Sequence, residues 1–279
     1  MSKSRFYRLF KGFYEQYFIA LLFMALTPTS FYSRPMETVA ALLAIFLGTL
    51  GDISINRVYD ADDDSIEKWK SKTNPVSNGD IDKDFGWKIC VAVYFLSIIL
   101  SLLTGDILFA FLLSIRNLFG FLYSGPPIRA KSTPIIDVVF HLTIIDAGPA
   151  FMAMFYMRNF SSMALYMLGF LVLNSMFTQI SQEVRDLHID RKAKLDTTAQ
   201  RLGLRNVLVL QKTLLIAIGL YVVVIGVYKS MLYITATAVL ALAYIIQKIS
   251  GDSIVVHKTR RNAVVAMLAG MLAQVVATL

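Results

Sequence analysis

Charge and cysteine are what this sequence has least of. Of 279 residues only 16% are Asp, Glu, Lys or Arg, against about a quarter in soluble domains. That shortage, with a mean hydropathy of +0.60, excludes an ordinary water-soluble domain. The one cysteine, Cys90, leaves neither an internal disulfide nor a thiolate metal site, and it reads as a buried structural thiol. The three histidines fall in a span (His141) and in loops (His188, His257), and none is taken as a ligand. Alternating ten-residue segments, the mark of an outer-membrane barrel, are absent. The first residues, MSKSRFYRLFKGFYEQYF, have no short apolar core followed by a small-residue cleavage site. They read as a basic, aromatic lead-in to a first helix.

What the sequence does have is apolar residues, 56% of the chain, in runs of roughly 17–24. Such runs cross a hydrocarbon core of about 30 Å as helix. The expected fold is therefore all-α and polytopic, with nine spans near 15–33, 36–58, 87–104, 106–123, 134–157, 160–181, 207–227, 230–248 and 262–279. Links near 34, 105, 158 and 229 are short; those at 59–86, 124–133, 182–206 and 249–261 are longer and polar. Short and long links alternate, so the long ones share one side with the N-terminal segment. Of 27 lysines and arginines, only Arg34, Arg158 and Lys229 fall on the short-link side. The positive-inside rule makes the long-link side cytoplasmic and leaves the C-terminus outside. The net charge of +8 reflects this asymmetry, and no nucleic-acid partner is expected.

Two acidic stretches carry the chemistry. After the second span, Asn56, Asp60 and Asp64 recur every fourth residue, along one slowly drifting helix face. Asp52 extends that face one turn deeper, while Asp62 and Asp63 point elsewhere. After the sixth span, Asp186 and Asp190 share a face at the same spacing. Either stretch alone reads as a solvated loop face. Together, on one side of a membrane, carboxylates converging from two loops repel unless a cation joins them. Oxygen ligands without Cys or His suit Mg²⁺, which commonly bridges carboxylates to substrate phosphate.

NRVYDADDD (56–64) resembles the NDxxDxxxD signature of the UbiA superfamily of intramembrane prenyltransferases. EVRDLHIDRKAKLDTTAQRLG (183–203) is similar to that family's second DxxxD loop, and YSGPPIRAKSTPIID (123–137) to its link between the fourth and fifth helices. With the nine-span layout the resemblance covers nearly the whole chain. It implies a single membrane domain, 1–279, of nine helices around a central cavity with polar caps over the cytoplasmic mouth. A weak internal duplication suggests two similar bundles, about 1–133 and 134–279. Carried over by position, Asn56, Asp60 and Asp64 would hold one Mg²⁺ against an allylic diphosphate, and Asp186 and Asp190 a second. Lys131, Arg129 and Tyr123 would contact the diphosphate or its leaving oxygen. The expected catalytic set is thus Asp60, Asp64, Asp186, Asp190, Lys131 and Tyr123.

The match has two departures. Arg57 replaces the family's Asp, off the metal face. TNPVSNG (73–79) resembles the family's RPVxSG loop with Asn74 in place of Arg, so Lys70 or Lys72 is the candidate substitute at the diphosphate. Polar residues inside spans are costly and often functional. Asp52, Arg116, Asn117, Asp137, Asp146, Asn174 and Gln179 qualify, and Asp52 and Arg116 are carried as substrate-binding candidates.

The expected activity is Mg²⁺-dependent transfer of a polyprenyl group from its diphosphate to a lipophilic acceptor, within membrane lipid. The second loop leans toward an archaeal-type isoprenoid glycerol phosphate, with a quinone precursor as the other choice. Two competing classes remain weaker. A phosphatidyltransferase would carry a longer DG…AR…G…D…D signature, which is not found. A cation transporter would place its acids near the midplane on interrupted helices.

Overall fold

The computed structural model describes residues 33–145 and 147–228, and every regular element among them is helical. Five of these helices are long and apolar enough to cross a membrane, six if one bent pair counts as a single span. They are α1 (Pro35–Tyr59), α4 (Lys83–Leu103), α5 (Ile107–Ser124), the bent pair α6 (Ile136–Ile144) and α7 (Ala147–Tyr156), α8 (Ser162–Lys192) and α9 (Thr198–Tyr228). The short helices α2 (Ala61–Asp64) and α3 (Lys68–Thr73) follow α1, and a 3₁₀ turn at Ala130–Ser132 follows α5. The spans expected at 15–33, 230–248 and 262–279, together with Asp146 and His257, lie outside the described residues.

Small residues let the helices approach closely. Ala41 and Ala44 of α1 meet Phe109 and Leu113 of α5 and Ala150 and Ala153 of α7 in the main core. A second core joins Phe177 and Ile180 of α8 to Val207 and Leu214 of α9. Outward, α4 and α9 present Phe95, Leu102, Leu103, Ile216, Leu220 and Val224. That much bare apolar surface suits lipid and would be an aggregation hazard in water.

The bend of 45° between α6 and α7 has a local cause. Pro149 has no N–H for the Ile145 carbonyl four residues back, and its ring crowds that oxygen. In α9, Gly203 at φ +73° and ψ 160° sets the first turn apart from the span proper. Few residues other than glycine adopt that conformation.

The link sets fall at opposite ends of α1. Arg34 reaches the Thr104 carbonyl (3.4 Å) and Arg158 pairs with Asp106 (2.7 Å), tying three short links together. At the other end Lys131 and Arg129 reach Asp60 and Asp63, and Lys192 reaches Glu67. One expectation needs correcting. The polar stretch from 182 onward is no loop, because α8 continues as helix to Lys192. Its 31 residues span about 46 Å at 1.5 Å per residue, well beyond a hydrocarbon core of about 30 Å. The second acidic motif rides on that projection.

Candidate active site

At the long-link end lies a cavity of about 920 Å³, lined from α1, the α2–α3 segment, α5, the 3₁₀ turn and α8. The first acidic segment forms one wall. Although α1 ends at Tyr59, the helical hydrogen bonds run on from Asp60 N to Asn56 O (2.8 Å) and from Asp64 N to Asp60 O (2.7 Å). The face expected from the spacing therefore survives the break. Asn56 Nδ2 donates to Asp60 Oδ2 (2.8 Å) and to Ser124 Oγ of α5 (3.2 Å). Asp64 accepts from Asn74 Nδ2 at 2.9 Å. Burial, then the neighbouring Asp60 charge, push the Asp64 carboxyl above its ordinary range, against the pull of Asn74, Lys70 and Lys131.

Asp63 was expected to point away, yet it lines the cavity. It accepts from Arg129 and, at 3.4 Å, from Lys131, which also pairs with Asp60. Asp63 stands three residues after Asp60 and seven after Asn56, spacings that share a helix face, so the period that groups Asn56 with Asp60 also brings Asp63 to the 3₁₀ segment. Asp62 stays outside, on the exposed Lys83. Arg129 adopts φ +47° just before that turn, a conformation uncommon outside glycine.

The second segment forms the opposite wall. Arg185 grips Asp186 with two bonds of 2.8 Å, and Lys70 of α3 reaches Asp186 Oδ2 at 3.0 Å. Trp69 lies under the Arg185 guanidinium, 5.4 Å from ring centre to Cζ. Asp190, Lys70 and Lys72 also line the cavity. Asn74, standing where the resemblance has arginine, is only 3% exposed and serves the loop. It donates to the Arg57 carbonyl (2.9 Å) and accepts from Val76 N (3.0 Å).

Deeper, Tyr123 donates to Gln179 (3.4 Å), Gln179 to Glu183 (2.8 Å), and Glu183 accepts from Ala199 N (2.8 Å) at the start of α9. Asp137 accepts from Thr198 N (2.7 Å) and Thr198 Oγ1 (2.6 Å). Two carboxylates thus seat the N-terminus of α9, where helix N–H groups lack internal partners. Gln179, Glu183, Asp186 and Asp190 are spaced four, three and four residues apart, one helical face. Followed one turn further back, that periodicity would have named Glu183 from the sequence.

Asp52 and Arg116 are together but apart from the cavity lining. Arg116 pairs with Asp52 at 2.5 Å, both buried, and donates to Thr49 Oγ1 (3.3 Å) and the Ile144 carbonyl (2.5 Å) at the end of α6. Tyr94 donates to Asp52 Oδ1 at 2.7 Å. Asn117 bonds Ser97 at 3.0 Å, and His141 lies 3.2 Å from Ser175. His188 pairs with Glu67 on the exposed side of α8.

Among the described residues, no three Asp, Glu, His or Cys side chains converge tightly enough to cage a metal alone. The donors do fit Mg²⁺ in its usual manner of binding, through one or two carboxylates with substrate phosphate and water completing the shell. They are hard oxygens on two facing walls, and Asp64 is crowded enough by like charge to gain from a divalent cation.

Fold and site together define a polytopic helical membrane protein with a charged cavity at one end of the bundle. The chain belongs to the UbiA prenyltransferase family, which matches residues 17–274. It is 28% identical over 232 residues to 2-acylphloroglucinol 4-prenyltransferase of Humulus lupulus, covering 77% of this chain and 55% of that protein. To homogentisate solanesyltransferase of Arabidopsis thaliana it is 27% identical over 238 residues, covering 77% and 58%. The chain thus spans little over half the length of these relatives. Its fold matches a UbiA homolog from Archaeoglobus fulgidus bound to GPP and Mg²⁺, with a TM-score of 0.71 at 17% identity over 98% of this chain and 100% of that one.

Proposed function

We propose that this protein transfers a polyprenyl group from an allylic polyprenyl diphosphate to a lipophilic acceptor and releases diphosphate. The observation that carries the reading is the cavity itself, where Asp60 and Asp64 face Asp186 and Asp190 with lysines between them. Asn56, Asp60 and Asp64 would hold one Mg²⁺, and Asp186 and Asp190 a second. When bound, Mg²⁺ supplies neutralisation of the charge that grows on the leaving diphosphate.

Lys131, Lys70, Lys72 and Arg129 bind and orient the diphosphate from the sides. The allylic C–O bond breaks with its electron pair leaving on the diphosphate oxygen, where the ammonium groups meet the growing negative charge. A nucleophilic atom of the acceptor then bonds the allylic carbon and loses its proton. Tyr123, half-buried and donating to Gln179, lines the same cavity, and the carbocation would survive to meet its acceptor only if water is excluded there. Asp52 and Arg116 contribute at a distance, by fixing the end of α6 through the Ile144 carbonyl.

The two acidic walls come from the two halves of the chain, in keeping with paired bundles. Placing the cavity on the cytoplasmic side follows from the basic residues at that end. The relatives are named for acylphloroglucinol and homogentisate, whereas the second acidic segment leans toward an isoprenoid glycerol phosphate. A quinone-type aromatic precursor and an isoprenoid glycerol phosphate are therefore the acceptors to compare. The test incubates purified protein with geranylgeranyl diphosphate, Mg²⁺ and each acceptor, and reads the product by mass. A prenylated product with one acceptor supports the reading and names the branch. Geranylgeranyl diphosphate returned intact with every acceptor would overturn it.

A further inference from the structure

We infer that Lys70 and a divalent cation exchange on Asp186, so that the cation and the diphosphate bind as coupled ligands. The inference rests on the functional reading above and deepens it by assigning Lys70 two partners. Asp186 offers about four acceptor positions. Arg185 takes two and Lys70 a third, the last at 3.0 Å from Oδ2. A Mg²⁺ ligated by that oxygen stands about 2.1 Å from it, so cation and ammonium would crowd one atom with like charge.

Lys70 is the member of the set free to yield. Both cations stand over the Trp69 ring, Lys70 at 5.9 Å and Arg185 at 5.4 Å, but Arg185 is pinned to Asp186 by two bonds and Lys70 by one. Helix α3 is itself tied to α8, through Glu67 to Lys192 and to His188, each at 3.4 Å. The Lys70 carbonyl accepts from Asn74 N (2.9 Å) and Thr73 Oγ1 (2.8 Å), so its backbone is held within the helix end and it is the four-carbon stem that swings. The Lys70 side chain is 16% exposed and lines the cavity with Lys72 and Lys131. On leaving Asp186 the ammonium gives up its partner at 3.0 Å and keeps only the longer-range pull of Asp64 and Asp190, so an arriving anion replaces the close contact that it lost. A cation alone must break the pair for nothing in return, whereas a cation with diphosphate gives Lys70 a new partner. Each ligand therefore strengthens the other, and linkage makes the effect reciprocal. The same exchange lets a lysine on α3 meet the diphosphate although Asn74 is committed to its loop.

The experiment measures Mn²⁺ binding to the full detergent-purified chain by electron paramagnetic resonance, with and without inorganic diphosphate. Wild type is compared with Lys70→Met and with Lys83→Met, which removes a lysine paired to the exposed Asp62 away from the cavity. Wild type should bind Mn²⁺ about tenfold tighter when diphosphate is present, within the usual coupling range. Lys70→Met should bind Mn²⁺ alone tighter than either and lose most of that enhancement. Asp186→Asn provides a second route. It frees Lys70, so it should bind inorganic diphosphate without metal more tightly than wild type does. If Lys70→Met behaves as Lys83→Met while wild type keeps its coupling, the exchange is wrong and the functional reading stands. Diphosphate affinity unchanged in Asp186→Asn would sink the exchange as well. If wild type binds no Mn²⁺ even with diphosphate, both the exchange and the functional reading fail.

Discussion

At the scale of single residues, the site is a set of carboxylates held close by lysines. Lys131 links Asp60 to Asp63, and Lys70 meets Asp186. Removing one donor from such a preorganised anion site typically costs 10²–10³-fold in rate. Lys131→Met should therefore lower kcat for diphosphate release by about 10²-fold, checked by steady-state kinetics. Asn74 acts differently, since its side chain shapes the loop and steadies Asp64. Asn74→Ala removes the acceptor of the buried Val76 N–H and a donor to Asp64, at a cost of about 1–3 kcal/mol. Its melting temperature in detergent should fall below that of wild type. These roles differ in how far the sequence disclosed them. Asn56, Asp60 and Asp64 were legible because their spacing matches the helix period, and the bonds from 56 to 60 to 64 keep it. Asp63 was passed over because only steps of four were followed, although it lies three residues from Asp60 and seven from Asn56 on the same face. Its pairing with Lys131, 68 positions further along the chain, is a contact that no local spacing discloses.

At the scale of elements, two helices do most to place the chemistry. α8 projects beyond the membrane and carries Glu183, Asp186 and Asp190 on one face, although apolar content alone suggested an end near 181. The polar run that follows is still helical because its Glu, Arg, Leu and Lys residues favour helix. α9 starts against Asp137 and Glu183 and then turns at Gly203. A methyl group at Gly203 would meet open space, so the penalty of Gly203→Ala is conformational, about 1–3 kcal/mol. That variant should melt at a lower temperature and release diphosphate more slowly, since the seat of α9 lies against the Tyr123, Gln179 and Glu183 chain. Gly120 marks a close approach between two spans. A Cβ there would stand 1.7 Å from Asp52 Oδ1, so α5 can pass the buried Asp52–Arg116 pair only without a side chain at that position.

At the scale of the whole molecule, the apolar runs were enough to lay out the described spans, six with the bent pair taken as one. Counted so, their number and order match the sequence expectation over residues 36–227; α8 runs on past 181 to Lys192, α9 starts at Thr198 instead of 207, and the other boundaries move by a few residues. The bend between α6 and α7 was not legible, because a proline near a span centre is tolerated in membranes as kink or straight helix alike. Orientation is testable because Cys90 is buried and gives little labelling background. A cysteine at Arg158 should react with an impermeant maleimide from outside intact cells, and one at Lys192 only after permeabilisation. The reverse pattern would invert the topology.

The central claim is that both acidic walls act together, with Mg²⁺, on one allylic diphosphate. It is tested most directly by diphosphate release from geranylgeranyl diphosphate, measured with and without Mg²⁺ for wild type, Asp60→Asn and Asp186→Asn. The account predicts Mg²⁺-dependent release by wild type and near-complete loss in each variant, because each removes a carboxylate from a different wall. Release that persists in either variant at the wild-type rate, or that ignores Mg²⁺, would contradict it.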